Sequence, residues 1–212
     1  MTSDEVLDAY LGGLVAGDRR RAMAAIESGR ASGLDLRTIY LSVLQPALRE
    51  VGRRWERGTM TVAQEHLATA ITQTVMGRLA GEHFRDNDGG PMLIAACVDA
   101  ERHAIGLRML CDLMELEGWT SLYLGPTVPG GDLVRMVSER RPRVVALSVS
   151  LPPHLLPARA AIAELRALGD PQPVVVLGGR AVSDAALAQR LGADLTASDA
   201  GEAVELLKQR AL

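Results

Sequence analysis

The sequence predicts two units of different class, a helical N-terminal half and an α/β half built on a parallel sheet. Three observations carry this reading. Residues 1–85 show apolar residues at helical spacing with capping residues at intervals. From Pro91 onward, short β-rich runs alternate with helical segments, the pattern of βαβ units. Between them lies RDNDGG, Arg85 to Gly90, a polar and Gly-rich stretch of the kind that joins domains. The expected organisation is a helical cap over 1–85, a linker over 86–90 and a second domain over 91–212.

In the first half, Ser3 and Asp4 can cap a helix running to about Val15, and Asp18 a second to about Ser28. Asp35 opens a third that Pro46 should bend or interrupt before it reaches Arg57. Thr61 and Gln64 have the spacing of a capping box and start a fourth. Its apolar face is read as Ala63, Leu67, Ala70, Ile71, Val75 and Leu79, with Val62 and His66 on a neighbouring face. Four antiparallel helices make a four-helix bundle.

In the second half the strands are placed at Met92–Val98, Ser121–Gly125, Arg143–Val149 and Pro173–Gly179, with a weak fifth at Asp194–Thr196. Five parallel strands with helices on both faces form a flavodoxin-like or Rossmann-like doubly wound domain, whose ligand sits beyond the carboxyl ends of the strands. The loops at Asp99–Gly106, Ser148–His154 and Gly178–Val182 then become the candidate site.

Composition narrows the function classes. The 212 residues are 48% hydrophobic, enough for real cores and against disorder. Only 3% are aromatic, too few for a base-stacking platform, so Trp55 and Trp119 each need a reason. A net charge of −3, with Lys208 the only lysine and Arg53-Arg54 set among Glu50 and Glu56, argues for solvated ion pairs and against a nucleic-acid partner. Cys97 and Cys111 have neither metal spacing nor a disulfide framework, and no stretch has signal-peptide or membrane-span character. A cytoplasmic protein with no membrane partner is expected.

The loop Asp99-Ala100-Glu101-Arg102-His103-Ala104-Ile105-Gly106 follows a buried strand and opens a helix. Glu101 stands two residues before His103 and can hold one ring nitrogen, leaving the other free for a metal. Glu101-x-His103-x-x-Gly106, Ser148-x-Ser150 at the third strand end and Gly178-Gly179 at the fourth together resemble the cobalamin-binding domains. The resemblance implies that His103 is the lower axial cobalt ligand, that Glu101 orients it, and that Gly106, Ser148, Ser150, Gly178 and Gly179 line a slot for the displaced nucleotide tail.

Trp55, nine intervening residues, then Glu65-His66 resembles the cap of the cobalamin-dependent light sensors, which include light-responsive repressors of carotenoid genes. That resemblance implies a Trp55 lid over the adenosyl group of adenosylcobalamin, with Val62, Glu65 and His66 in the adenosyl pocket and no catalytic residue. It implies a photoreceptor in which loss of the adenosyl group in light changes cap packing, homo-oligomer assembly or binding of a downstream protein partner. Stand-alone members resemble photocobilins, so biliverdin or another bilin, held noncovalently, is a further expected chromophore. The helices are expected to begin close to Met1, so the repressors' DNA-binding module is not expected here. Glu56 stands where the repressors have the histidine that binds cobalt after photolysis; His66, His83 and His154 are the other histidines, each read as solvated or locally bonded. The alternative is a corrinoid methyl-carrier protein for a methyltransferase system, which joins a helical bundle to the same kind of domain.

Overall fold

The computed structural model describes residues 1–83 and 89–210. Most of the expected linker, with Phe84, lies outside the described residues, as does the side chain of His83. The chain divides into two compact units, Met1–Phe84 and Arg85–Leu212.

The first unit is helical: α1 (Ser3–Val15), α2 (Arg19–Ala31), α3 (Leu36–Thr38), a π-helical stretch Ile39–Leu44, α4 (Gln45–Glu56) and α5 (Val62–His83). Polar side chains set the starts. Thr2, one residue before the expected Ser3, caps α1 in a box with Glu5, while Asp18 caps α2 and Asp35 caps α3. At α5, Thr61 N–H donates to Gln64 Oε1 at 2.8 Å and Gln64 N–H to Thr61 Oγ1 at 3.2 Å. The third expected helix is neither broken nor smoothly bent: a π-helical stretch precedes Pro46, with Gln45 N–H donating to Tyr40 O. A wider turn absorbs the misfit there.

The buried stripe of α5 is Ala68, Ile71, Thr72, Val75, Met76 and Leu79. Ala63, Leu67 and Ala70, assigned to that face from spacing, are exposed, so the stripe starts a turn later than expected. Thr72 is tolerated inside because its hydroxyl donates to Ala68 O at 2.9 Å and accepts from Tyr10 at 2.8 Å. Arg53 and Arg54 both pair with Glu50, the ion-paired surface the charge pattern suggested.

The second unit alternates β1 (Met92–Cys97), α6 (Ile105–Leu116), β2 (Thr120–Gly125), α7 (Gly130–Arg140), β3 (Val144–Ser148), a 3-10 turn Pro152–His154, α8 (Leu155–Arg166), β4 (Val174–Gly178), α9 (Ala185–Arg190) and α10 (Ala200–Arg210). Among the described residues the sheet has four strands, all parallel, in the order β2-β1-β3-β4. Ile94, Ala96, Val145, Leu147, Val175 and Leu177 share one core with Leu133 and Val137 of α7 and Ile162 and Leu165 of α8. Their alternate neighbours Leu93, Ala95, Cys97, Val144 and Ala146 are buried as well, as a sheet covered on both faces requires.

The expected fifth strand is reduced to a single bridge, Val176 with Leu195. On the side of the bridge toward residue 193, the Asp194 carboxylate takes the Val175 N–H at 2.7 Å and the Arg166 guanidinium at 2.7 Å, so a side chain occupies the donor that an earlier ladder step would use. Trp119 is buried before β2, and core packing is the reason for it.

Candidate functional site

Strand order reverses between β1 and β3: β2 lies beyond one and β4 beyond the other. Loops leaving the carboxyl ends of such a pair diverge and open a crevice, the usual ligand position in open parallel sheets. The loop after β1 carries Glu101 and His103, and the loop after β3 carries Ser150 and His154.

The first loop is held in a costly conformation. Ala100 has φ +64° and Thr127, which supports the loop from below, has φ +52°. Hydrogen bonds offset that cost: Glu101 N–H to Val98 O at 3.0 Å, Thr127 N–H to Glu101 O at 2.9 Å and Ala100 N–H to Asp99 Oδ1 at 2.8 Å. They turn the Glu101 side chain inward, where it is fully buried.

A buried carboxylate survives only with donors around it. Oε1 of Glu101 accepts from the His103 backbone N–H at 2.9 Å and from His103 Nδ1 at 2.5 Å. Oε2 accepts from Ser150 N–H at 2.7 Å, Leu151 N–H at 3.3 Å and His154 Nδ1 at 3.0 Å. Burial pushes the Glu101 carboxyl up, but the donors from His154, His103 and Ser150 outweigh it and bring it down to about 2. The group is an anion and therefore an acceptor only, so both imidazoles must carry their proton on Nδ1. With Nδ1–H held there, Nε2 is the ring nitrogen left to face a ligand, and the His103 side chain is 52% exposed. Beneath the loop, burial and the Glu101 charge push the Cys97 thiol up to about 12, keeping it a neutral donor to His103 O.

The other sequence-predicted residues of this unit fall nearby in different ways. Ser148 ends β3, nearly buried, and is in register with Gly178 at the end of β4. Ser150 reaches the carboxylate through its backbone. A Cβ on Gly179, at φ +103°, would lie 2.2 Å from Val149 O, so its glycine is required by the closeness of the two strand ends. Gly106, in the first turn of α6, is the opposite case: a Cβ there meets nothing within 4 Å and faces open space.

In the helical unit, Trp55 lies in the last turn of α4 and is 42% exposed, while Val62 at the start of α5 is 54% exposed. Glu65 Oε2 holds His66 Nδ1 at 2.6 Å, and Thr69 donates to Glu65 Oε1 at 3.0 Å. The intervening turn is closed by Gly58 N–H to Trp55 O and Thr59 N–H to Arg54 O, both at 2.9 Å. This corner leaves an indole and a valine uncovered by their own unit.

His154 is the residue that sequence reasoning placed on the ligand side yet read as solvated or locally bonded. The available signal was its position on the loop after β3, opposite the loop that carries a carboxylate.

Chemically, an imidazole whose Nδ1–H is fixed by a buried carboxylate is a ready metal ligand at Nε2. Among the described residues no group of three or more His, Cys, Asp or Glu side chains is arranged to hold a metal ion. A metal at His103 would have to bring most of its own ligands, as a metal in a macrocycle does.

Comparison with known proteins gives the same chemistry a family. A model described as B12 binding domain matches residues 91–208, more than half of the chain, and a second with that description matches residues 6–80. The HTH-type transcriptional repressor CarH of Myxococcus xanthus is 37% identical over 155 residues, 70% of this chain and 50% of that protein, so the chain spans about half its length. Dimethylamine corrinoid protein 1 of Methanosarcina acetivorans is 26% identical over 212 residues, 99% of each chain. The structure of the monomethylamine corrinoid protein of Methanosarcina barkeri shares the fold, with a TM-score of 0.86 at 19% identity over 98% of this chain and 99% of that one. With its open Nε2 at the sheet's switch point and both halves matched, the chain belongs to the B12-binding domain family and is a cobalamin-binding protein.

Proposed function

We propose that the chain holds a corrinoid with His103 Nε2 beneath the cobalt and serves as a methyl carrier for partner methyltransferases. The observation that carries the cobalt assignment is the Glu101–His103 pair, an anchored Nδ1–H with the far nitrogen exposed. Cobalamin, when bound, supplies a cobalt–carbon bond that can pass a methyl group to a partner or be cleaved by visible light. The chain's own part is to orient the imidazole through Glu101 and to leave room beside the sheet, where Gly106 faces open space. The carrier use is supported by end-to-end likeness to the dimethylamine corrinoid protein, which spans both units.

A second reading, an adenosylcobalamin light sensor, is favoured by one observation: Trp55 and the Glu65-His66 pair keep the light-sensor spacing, and Trp55 has indole surface to spare. The likeness to the CarH repressor supports it. Under that reading light alters homo-oligomer assembly or the hold on a downstream protein. Among the described residues both cysteines are buried, so neither offers a thiol for attaching a bilin.

One experiment separates the readings. The apoprotein is reconstituted in the dark with methylcobalamin or adenosylcobalamin, and spectra and elution volume are recorded before and after green light. A His-on spectrum that vanishes in His103→Ala supports the cobalt assignment, and a colourless product sinks both readings. An elution volume of the adenosylcobalamin form unchanged by light supports the carrier. A light-driven shift abolished by Trp55→Ala overturns the carrier in favour of the sensor.

A further inference from the structure

Arg102 stands between the buried carboxylate and the exposed imidazole, and nothing in the described part of the protein holds its side chain. Glu101 is fully buried and Ala104 nearly so, whereas Arg102 and His103 are both exposed. Both peptide groups that flank Arg102 are pinned. Thr127 N–H donates to Glu101 O at 2.9 Å on one side, and His103 N–H donates to Glu101 Oε1 at 2.9 Å on the other. The main chain therefore keeps Arg102 in place, with its Cα about 3.8 Å from that of His103. Among the described residues no hydrogen bond or ion pair takes up the guanidinium. The nearest acids in the sequence are already engaged: Glu101 accepts five N–H donors, and Asp99 accepts from Ala100 N–H at 2.8 Å.

We infer that Arg102 is a corrinoid-binding and selectivity residue: its guanidinium takes an oxygen acceptor of the corrinoid seated on His103. This rests on the reading that His103 carries the cobalt.

The physical argument concerns desolvation. A macrocycle seated on His103 lies against the exposed surface beside it, and Arg102 is the next residue along that surface. A ligand that covers a guanidinium without supplying an acceptor strips its water at a cost, whereas a ligand with an oxygen there gains a charge-assisted hydrogen bond. Two oxygens of a corrinoid have this chemistry, the amide carbonyls of the rim and the phosphodiester of the displaced nucleotide tail. The planar fork of N–H donors on arginine matches either one. A macrocycle with a purely alkyl rim and no tail leaves the guanidinium unsatisfied, so the same contact selects for corrinoids.

Spectrophotometric titration of the full-length apoprotein tests this with two probes: aquacobinamide, which has the amide rim and no nucleotide, and hydroxocobalamin, which has both. Arg102→Gln is expected to weaken binding by about tenfold, the low end for a hydrogen bond to a charged group. The saturated variant is expected to keep the wild-type His-on spectrum, and its apoprotein the wild-type thermal midpoint. Loss with both probes supports a contact to the rim, and loss with hydroxocobalamin alone supports a contact to the phosphodiester. Arg102→Lys keeps the charge without the fork and is expected to fall between wild type and glutamine. Wild-type affinity for both probes in Arg102→Gln overturns the proposal. So does a lowered apoprotein midpoint or a lost His-on spectrum in that variant, since either gives Arg102 a structural role. A wild type with no His-on spectrum for either probe sinks the cobalt assignment and this proposal together, whereas an unaffected Arg102→Gln sinks the role of Arg102 alone.

Discussion

Glu101 shows at a single residue how burial and function combine. One carboxylate spans two loops, with Oε1 serving its own loop and Oε2 the other. The carboxyl lies near 2 in the folded chain against an ordinary value of 4.5. Its contribution to stability is therefore complete above about pH 4.5 and is lost as pH falls through about 2. Glu101→Gln has no anion to match five donors and turns its own amide N–H toward one set of them. A loss of about 2–3 kcal/mol near neutral pH is expected, together with a flatter dependence on pH below about 4.5, both read by urea denaturation across pH. The two glycines make a second contrast at this scale. Gly179→Ala meets Val149 O at a positive φ and is expected to cost more than about 3 kcal/mol. Gly106→Ala meets nothing, sits in a helix and is expected to leave thermal stability unchanged or raise it by up to about 1 kcal/mol. A weakened cobalamin affinity in that stable variant would locate the ligand beside Gly106.

Among the elements, caps were the most legible features because each is a local contact between residues three apart. Asp18, Asp35 and the Thr61–Gln64 box open helices where the sequence places them. Thr61→Ala is expected to lower stability by about 1 kcal/mol, measured as a shift of the thermal midpoint without change in the folded circular dichroism spectrum. Features set by neighbours were less legible. The buried stripe of α5 begins at Ala68 because nothing covers the first turn of the helix within its own unit. Alanines at Ala63 and Ala70 fit either an inner or an outer face, so spacing alone assigned them inward. The fifth strand is a similar case: β propensity at residues 194–196 does not reveal that Asp194 will cap the donor of Val175. The π-helical stretch is intermediate. Pro46 announces a disturbance, and packing of Ile39, Tyr40, Val43 and Leu44 into the core decides that a wide turn, and not a kink, absorbs it.

At the scale of the molecule, two units of different class each carry their own core. The helical unit carries a corner with exposed Trp55 and Val62, and the α/β unit carries the carboxylate-anchored histidine. Both sets of residues were recognisable as short spacings: Glu101-x-His103 within one loop, and Trp55 with Glu65-His66 across one turn. Among the described residues no helix is long and apolar enough to cross a membrane.

What the sequence determined by itself is governed by short range: most helix caps, four of the five strand runs, the parallel class of the sheet and the pairing of Glu101 with His103 two residues on. These follow from propensity, periodicity and the reach of one side chain. What only the tertiary structure decided is which distant loops meet. His154 lies 53 residues from Glu101, and their hydrogen bond exists because β1 and β3 are neighbours at the point where strand order reverses. A buried anion collects whatever donors the fold delivers to it, and spacing along the chain carries no record of that delivery.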